Sequence, residues 1–282
     1  MTARSTAGEK RPWTFYALAA LFSLFLLFLY GPMAVIYLLS FQGPDGGVTF
    51  PMVGYSVFWF EDILKPGQMA NIPVSFSRSI SLAVVVSLLT VVISVAAGLG
   101  FRRRFPGAGV LFYLAIASLV MPSLLVGFGI GLGFQFLGWN TGLFTSALGA
   151  QLTWTLPFGL FAMFAVVNRF NRSWEEAAAD LGASAWQRLV HVTLPILLPG
   201  IVGVAVGALT LSYDEYARTT LTIGTRNTLP LEIYALISSA TSPTLFAIGT
   251  ITTAVSFAII GATMVVIFRM QRRRGAIGGH HG

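Results

Sequence analysis

The chain has 282 residues, 55% hydrophobic and 10% charged, with a mean hydropathy of +0.78. A soluble domain carries about 25% charged residues, so this composition excludes a water-soluble enzyme and places the chain in a bilayer. The net charge of +7 and the pI near 10.1 fit the basic loops that membrane proteins keep on the cytoplasmic side, not a nucleic-acid surface. With no cysteine, disulfides, thiolate chemistry and cysteine-ligated metals drop out. The only lysines, Lys10 and Lys65, do not follow glycine, so the chain lacks the Gly-Lys-Ser/Thr phosphate loop.

A membrane-crossing helix needs about 20 apolar residues. No charge falls between Arg11 and Asp45, and residues 14–39 read as a first span containing Gly31-Pro32. Its apolar core is too long for a signal peptide and no small-residue cleavage site closes it. The stretch 40–77 carries Gly, Pro, Trp and the acids Asp45, Glu61 and Asp62, and reads as a loop with one short amphipathic helix. Residues 78–101 form a second span that stops at Arg102-Arg103-Arg104. The uncharged run from Phe105 to Asn168 holds two spans, 107–137 and 143–168, joined by a turn at Gly138-Trp139-Asn140-Thr141-Gly142. Pro122 and Pro157 are positioned to kink them. A polar loop at 169–197 precedes a fifth span at 198–222, and a sixth at 244–268 ends in the basic run from Arg269 to Arg274. Trp13, Trp59 and Trp139 fall near span edges, where aromatic rings anchor to the interface. The expected fold is an all-α integral membrane protein, one domain of six transmembrane helices.

Six spans put both termini on one side. That side, with the Arg102 turn and the 169–197 loop, holds 13 of the 17 Lys and Arg residues. The positive-inside bias therefore orients both termini to the cytoplasm. No internal repeat is visible, which argues against a carrier built from inverted halves.

The 169–197 loop has more structure in its sequence than a basic turn needs. Ser173 with Glu176 three residues on makes a capping box, and Glu175 to Ala179 are good helix formers. Gly182 suits the left-handed residue that ends a helix. Ser184 can cap a second helix bearing Trp186, Leu189 and Val190 on an apolar side. The result is a helix–Gly–helix elbow against the membrane helices, shaped to receive force from a partner.

On these residues the chain resembles permease subunits of ATP-binding-cassette importers. Their cytoplasmic loop reads Glu-Ala-Ala, three residues, Gly, nine residues, Ile, one residue, Leu-Pro. Here Glu176-Ala177-Ala178, Gly182, Val192 and Leu194-Pro195 keep every spacing, with Val replacing Ile. A second stretch resembles spermidine/putrescine-type permeases, in particular the second of their two permease subunits. It runs Leu211-Ser212-Tyr213-Asp214-Glu215-Tyr216, then Asn227-Thr228-Leu229-Pro230-Leu231-Glu232-Ile233-Tyr234, then Thr241-Ser242-Pro243.

The resemblance implies a type I importer fold in the bacterial inner membrane, half of a translocation path for a polyamine or related amine. It implies a second homologous permease, two ATPase subunits that hold ATP and Mg, and a periplasmic solute-binding protein. No cofactor is expected in this chain. Glu175, Glu176, Ala177, Ala178, Gly182, Leu194 and Pro195 would then contact the ATPase. The same machinery with another cargo (an opine, an amino-acid derivative or an organophosphorus compound) stays open, as does a self-sufficient channel or secondary carrier.

Candidates for the solute path are Trp154, Tyr213, Asp214, Glu215 and Tyr216. From Pro199 to Asp214 is roughly 24 Å of helix, against a hydrocarbon core of about 30 Å. Acids that deep face protein or water and are functional candidates by default. Two roles are open for them: lining a path, or pairing with Arg218, which lies four residues after Asp214 and three after Glu215. The tyrosines and Trp154 would meet an ammonium through cation–π attraction or simply pack the bundle. His191 is expected to pack within the loop. His280 and His281, with no further ligand nearby, make no metal site.

Overall fold

A computed structural model describes residues 12–65, 71–103, 105–239 and 242–278. Lys10, Arg11, Arg104, Thr241, His280 and His281, used above for orientation and motifs, lie outside them. The described residues fall into two compact units. One unit runs to Lys65 and takes in the last helix as far as Thr252; the other runs from Asn71 to Ser239 and takes the rest of that helix.

In the first unit, α1 (Trp13–Leu39) is apolar on every face and keeps Pro32 in its interior. Nearly all its large side chains are exposed, as expected of a helix whose solvent is lipid. The chain then folds back on a buried polar pin. The Gln42 amide donates to the Gly47 carbonyl at 3.0 Å and accepts from the Val53 N–H at 2.9 Å. Short α2 (Phe58–Asp62) follows, with Lys65 bound to Asp62 at 3.3 Å and lying over the Phe58 ring.

The second unit is built on α3 (Ile72–Gly100), α6 (Leu143–Val167) and α9 (Leu194–Tyr213), which pack against one another. Two apolar clusters hold them. Leu82, Val86, Ala147, Ile223 and Leu231 form one, and Met163, Val167, Leu197 and Val204 the other. Between the helices, Thr90 donates to Thr155 at 2.8 Å and Ser87 to the Ala205 carbonyl at 2.7 Å. Small and hydroxyl residues let membrane helices approach closely and satisfy their own polar groups.

The expected third span is not one rod. It consists of α4 (Ala108–Val120) and α5 (Ser123–Phe136), bent by 108°. Pro122 explains the break: its ring drives the preceding residue out of the helical region, and Met121 is extended at φ −66°, ψ 134°. Pro157, by contrast, sits inside α6 with helix continuing on both sides of it. Helix α3 begins at Ile72 instead of residue 78, with a proline in its first turn, where the missing N–H costs little.

The fifth span differs at both ends. Leading into it are α7 (Ser173–Asp180), α8 (Ala185–Arg188) and a π turn (Leu189–Thr193). From Ala185 to Tyr213 the helix is continuous, so the second arm of the elbow and the span are one element. It ends at Tyr213, and Asp214 to Thr228 forms turns where the sequence reading continued the span to 222. Next, α10 (Leu229–Ser239) packs on α3. Its start is tied there by Ser79, which accepts from the Leu229 N–H at 2.8 Å, and by Arg78, which donates to the Asn227 carbonyl at 3.3 Å. Helix α11 (Thr244–Gly278) closes the chain.

Candidate coupling elbow and solute-path residues

The elbow is assembled by local chemistry. Helix α7 ends in a Schellman motif: the Gly182 N–H reaches the Ala179 carbonyl at 2.9 Å and the Ala183 N–H reaches Ala178 at 3.0 Å. Gly182 has φ +86°, a conformation that a side chain resists. Two residues on, Ser184 caps α8 in a reciprocal box with Gln187, at 3.3 and 2.8 Å. The expected box at Ser173 and Glu176 is absent. Arg172 holds the cap position and Ser173 is already helical. Asn171 instead accepts from both the Ser173 N–H and its hydroxyl, at 3.0 and 2.9 Å, because a short Asx side chain satisfies the first turn from just outside it.

The two glutamates of the elbow have separate tasks. Glu175 is gripped by Arg102 through two bonds of 2.9 and 2.7 Å and accepts a third from Thr193 at 2.6 Å. This carboxylate joins the end of α3, the start of α7 and the base of α9. The Arg102 hydrogen bonds, helped by the Thr193 hydroxyl, hold the Glu175 carboxyl below its ordinary range against the opposing effect of burial; the same contact raises Arg102. Arg102 also stacks over Phe170 at 5.1 Å.

Glu176 is exposed and, among the described residues, enters no ion pair. Ala177 is exposed and Ala178 half-buried, while Leu194 and Pro195 open α9. Trp174, Leu181 and Trp186 leave 51%, 89% and 70% of their surface uncovered, an apolar patch around the glycine. His191 is exposed and bonded to the Gln187 carbonyl at 3.1 Å.

Of the path candidates, Trp154 and Glu215 come together, on the buried Arg218. Arg218 is 1% exposed, lies over the Trp154 ring at 4.9 Å and pairs with Glu215 at 3.6 Å. Glu215 also accepts the Arg218 N–H at 2.8 Å. Trp154 therefore meets a cation, but it is the chain's own. Gln151 donates to Thr219 at 2.9 Å and accepts from Ser212. Tyr213 is buried edge-on against Phe76, and Tyr216 packs on Tyr234 at 4.9 Å. Asp214 alone among these is exposed.

Sequence reasoning missed three contributors: Arg102, Thr193 and Gln151. Arg102 and Glu175 stand 73 residues apart, and nothing local announces such a pair. Gln151 did leave a signal, as an amide inside a predicted span.

Apolar helices of spanning length, a proline-broken pair and an elbow fused to a span mark a helical membrane protein of several spans. Residues 90–274 match the family described as binding-protein-dependent transport system inner membrane component, and the chain belongs to that family. It is thus a multi-pass inner-membrane subunit of a transport complex, with a role in transport and not catalysis.

The spermidine/putrescine transport system permease protein PotC of Escherichia coli K12 is 25% identical over 241 residues, covering 85% of this chain and 89% of that protein. The putrescine transport system permease protein PotI of the same strain is 26% identical over 268 residues, covering 92% and 89%. Among solved structures, a bacterial ABC transporter involved in import of the acidic polysaccharide alginate superposes with a TM-score of 0.64 at 17% identity, over 95% of this chain and 99% of that one. The inward-facing MetNI methionine ABC transporter gives 0.58 at 18% identity, over 73% and 98%. These two likenesses carry the fold, that of a type I importer permease.

Proposed function

We propose that the chain forms half of the translocation path of an ATP-driven importer for a polyamine or related small amine. It pairs with a second homologous permease, beneath which two ATPase subunits hold ATP and Mg, while a periplasmic binding protein delivers the solute. Both termini lie in the cytoplasm, and this chain carries no cofactor of its own. Glu176, Ala177 and Gly182 face the ATPase, and Glu175 shapes the surface that does so.

One observation carries the reading. From Ala185 to Tyr213 an unbroken helix of 29 residues links the elbow to the polar core around Arg218, about 43 Å at 1.5 Å per residue. Such a rod converts a push on the elbow into a displacement at Asp214, Glu215 and Arg218. The likeness to permeases of spermidine and putrescine systems over most of the chain supports the cargo. The test is uptake of labelled putrescine and spermidine by the four-component complex in proteoliposomes, with ATP inside. Stimulated ATP hydrolysis without amine uptake would remove the cargo and keep the machine.

A second cargo reading has its own observation. The Arg218 Nε and Nη2 atoms are buried with no hydrogen-bond acceptor, which suits a solute bearing a carboxylate beside its ammonium, such as an amino-acid derivative. Competition of such solutes against putrescine in the same vesicles separates the two.

A further inference from the structure

We propose that the cleft between the end of α3 and the elbow binds a phosphate-bearing anion. The cleft encloses about 340 Å³ and gathers Arg102, Arg103, Arg172 and Arg188 around one acid, Glu175. Both oxygens of that acid are already committed to Arg102. Arg172 donates one N–H to the Arg102 carbonyl at 3.0 Å, leaving the rest of its fork open. The Arg188 Nε is buried and meets no acceptor. A desolvated guanidinium N–H without an acceptor is costly, and three guanidinium charges are left unbalanced by any acid lining the cleft. A phosphate offers several oxygens to such forks at once.

Leu99 and Leu189 complete the wall with aliphatic surface. A phospholipid headgroup with its chains along these leucines and a free phosphate are therefore two sources of one chemistry. Basic pockets between membrane helices on the cytoplasmic side attract anionic headgroups; the cytoplasmic placement rests on the orientation proposed above. Bound there, the anion joins three segments: the turn after α3 through Arg103, the approach to α7 through Arg172, and α8 through Arg188. It stiffens the elbow and makes coupling depend on the anion.

The test uses the assembled complex, purified and stripped of lipid. Thermal unfolding is followed against inorganic phosphate in detergent, and separately in nanodiscs of phosphatidylcholine with or without phosphatidylglycerol. Wild type, Arg172→Gln/Arg188→Gln and Arg103→Gln are compared. Saturable stabilisation is expected in the wild type, with apparent affinity falling by about tenfold or more in the double variant as charge-assisted bonds are lost. A response to phosphate in detergent identifies a free-anion site, and a response to phosphatidylglycerol alone identifies a headgroup site; either upholds the proposal.

Equal responses in wild type and variants, or none in wild type, overturn it. Loss of ATPase capture in the variants without any anion response assigns the arginines to the protein partner and overturns it too. If the double variant does not assemble, Arg103→Gln decides, and unchanged affinity there is a negative answer. Amine uptake is scored separately, so failure of the anion site leaves the transport reading standing.

Discussion

Glu175 accepts three hydrogen bonds from residues on two other segments, whereas Glu176 beside it faces out. Glu175→Gln is expected to lower the stability of the complex by about 1.5–3 kcal/mol, the usual worth of hydrogen bonds to a charged group. Glu176→Gln is expected to leave melting unchanged and to weaken ATPase coupling, with unfolding and stimulated hydrolysis as the two readouts. The Glu175 carboxyl lies lower in the folded state than in the unfolded chain. Its contribution is therefore fully present above the ordinary carboxylate range and is lost as pH falls through the depressed value. Acid unfolding of Glu175→Gln should show a shallower pH dependence in that window. At the other end of the rod, Glu215 and Asp214 also divide. Glu215→Gln strands Arg218, which is 1% exposed, at a cost of about 3–5 kcal/mol, so complex yield should drop. Asp214→Asn should assemble normally and lower amine uptake per complex. Normal uptake by Asp214→Asn would remove that acid from the path.

At the scale of elements, the elbow depends on one backbone conformation. Gly182→Val places a β-branched residue at φ +86°, which costs on the order of 1–3 kcal/mol and disfavours the Schellman turn. We expect binding-protein-stimulated ATP hydrolysis to fall while the complex still assembles, as size-exclusion chromatography would show. Full stimulation in an assembled variant would mean the turn is dispensable. The bent α4–α5 pair has its own tight point. A Cβ on Gly127 would sit 2.7 Å from the Arg218 carbonyl oxygen, so Gly127→Ala must push α5 off the Arg218 segment. Overpacking of this kind costs about 1–3 kcal/mol, read as a lower melting temperature of the complex.

For the whole molecule the testable property is sidedness. The chain has no cysteine, so single introduced cysteines report without background. Phe60→Cys and Asn140→Cys should react with an impermeant maleimide added from the periplasm, and Arg103→Cys only after the cytoplasmic face is opened. Labelling of position 60 or 140 only from the cytoplasmic side would reverse the orientation.

Much of this was legible in the linear chain because the relevant interactions are local. The Gly182 stop and the Ser184 cap depend on neighbours within one or two turns, and the apolar runs and the Glu-Ala-Ala to Leu-Pro spacing each lie within one continuous stretch of chain. Where a nearer residue competes, local reading fails. Arg172, not Ser173, takes the cap position while Asn171 bonds the first turn from outside it, and the fifth span ends at Tyr213 although the polar pattern would let it continue. Tertiary structure alone decided the partners. Arg102 reaches Glu175 across 73 residues, Arg218 takes Glu215 over Asp214, and Trp154 is filled by the chain's own guanidinium. Composition and periodicity choose the helices, because the bilayer acts on each segment separately. Which charge is spent inside the fold and which is left for a partner is set only when helices pack, because pairing depends on distances that folding creates.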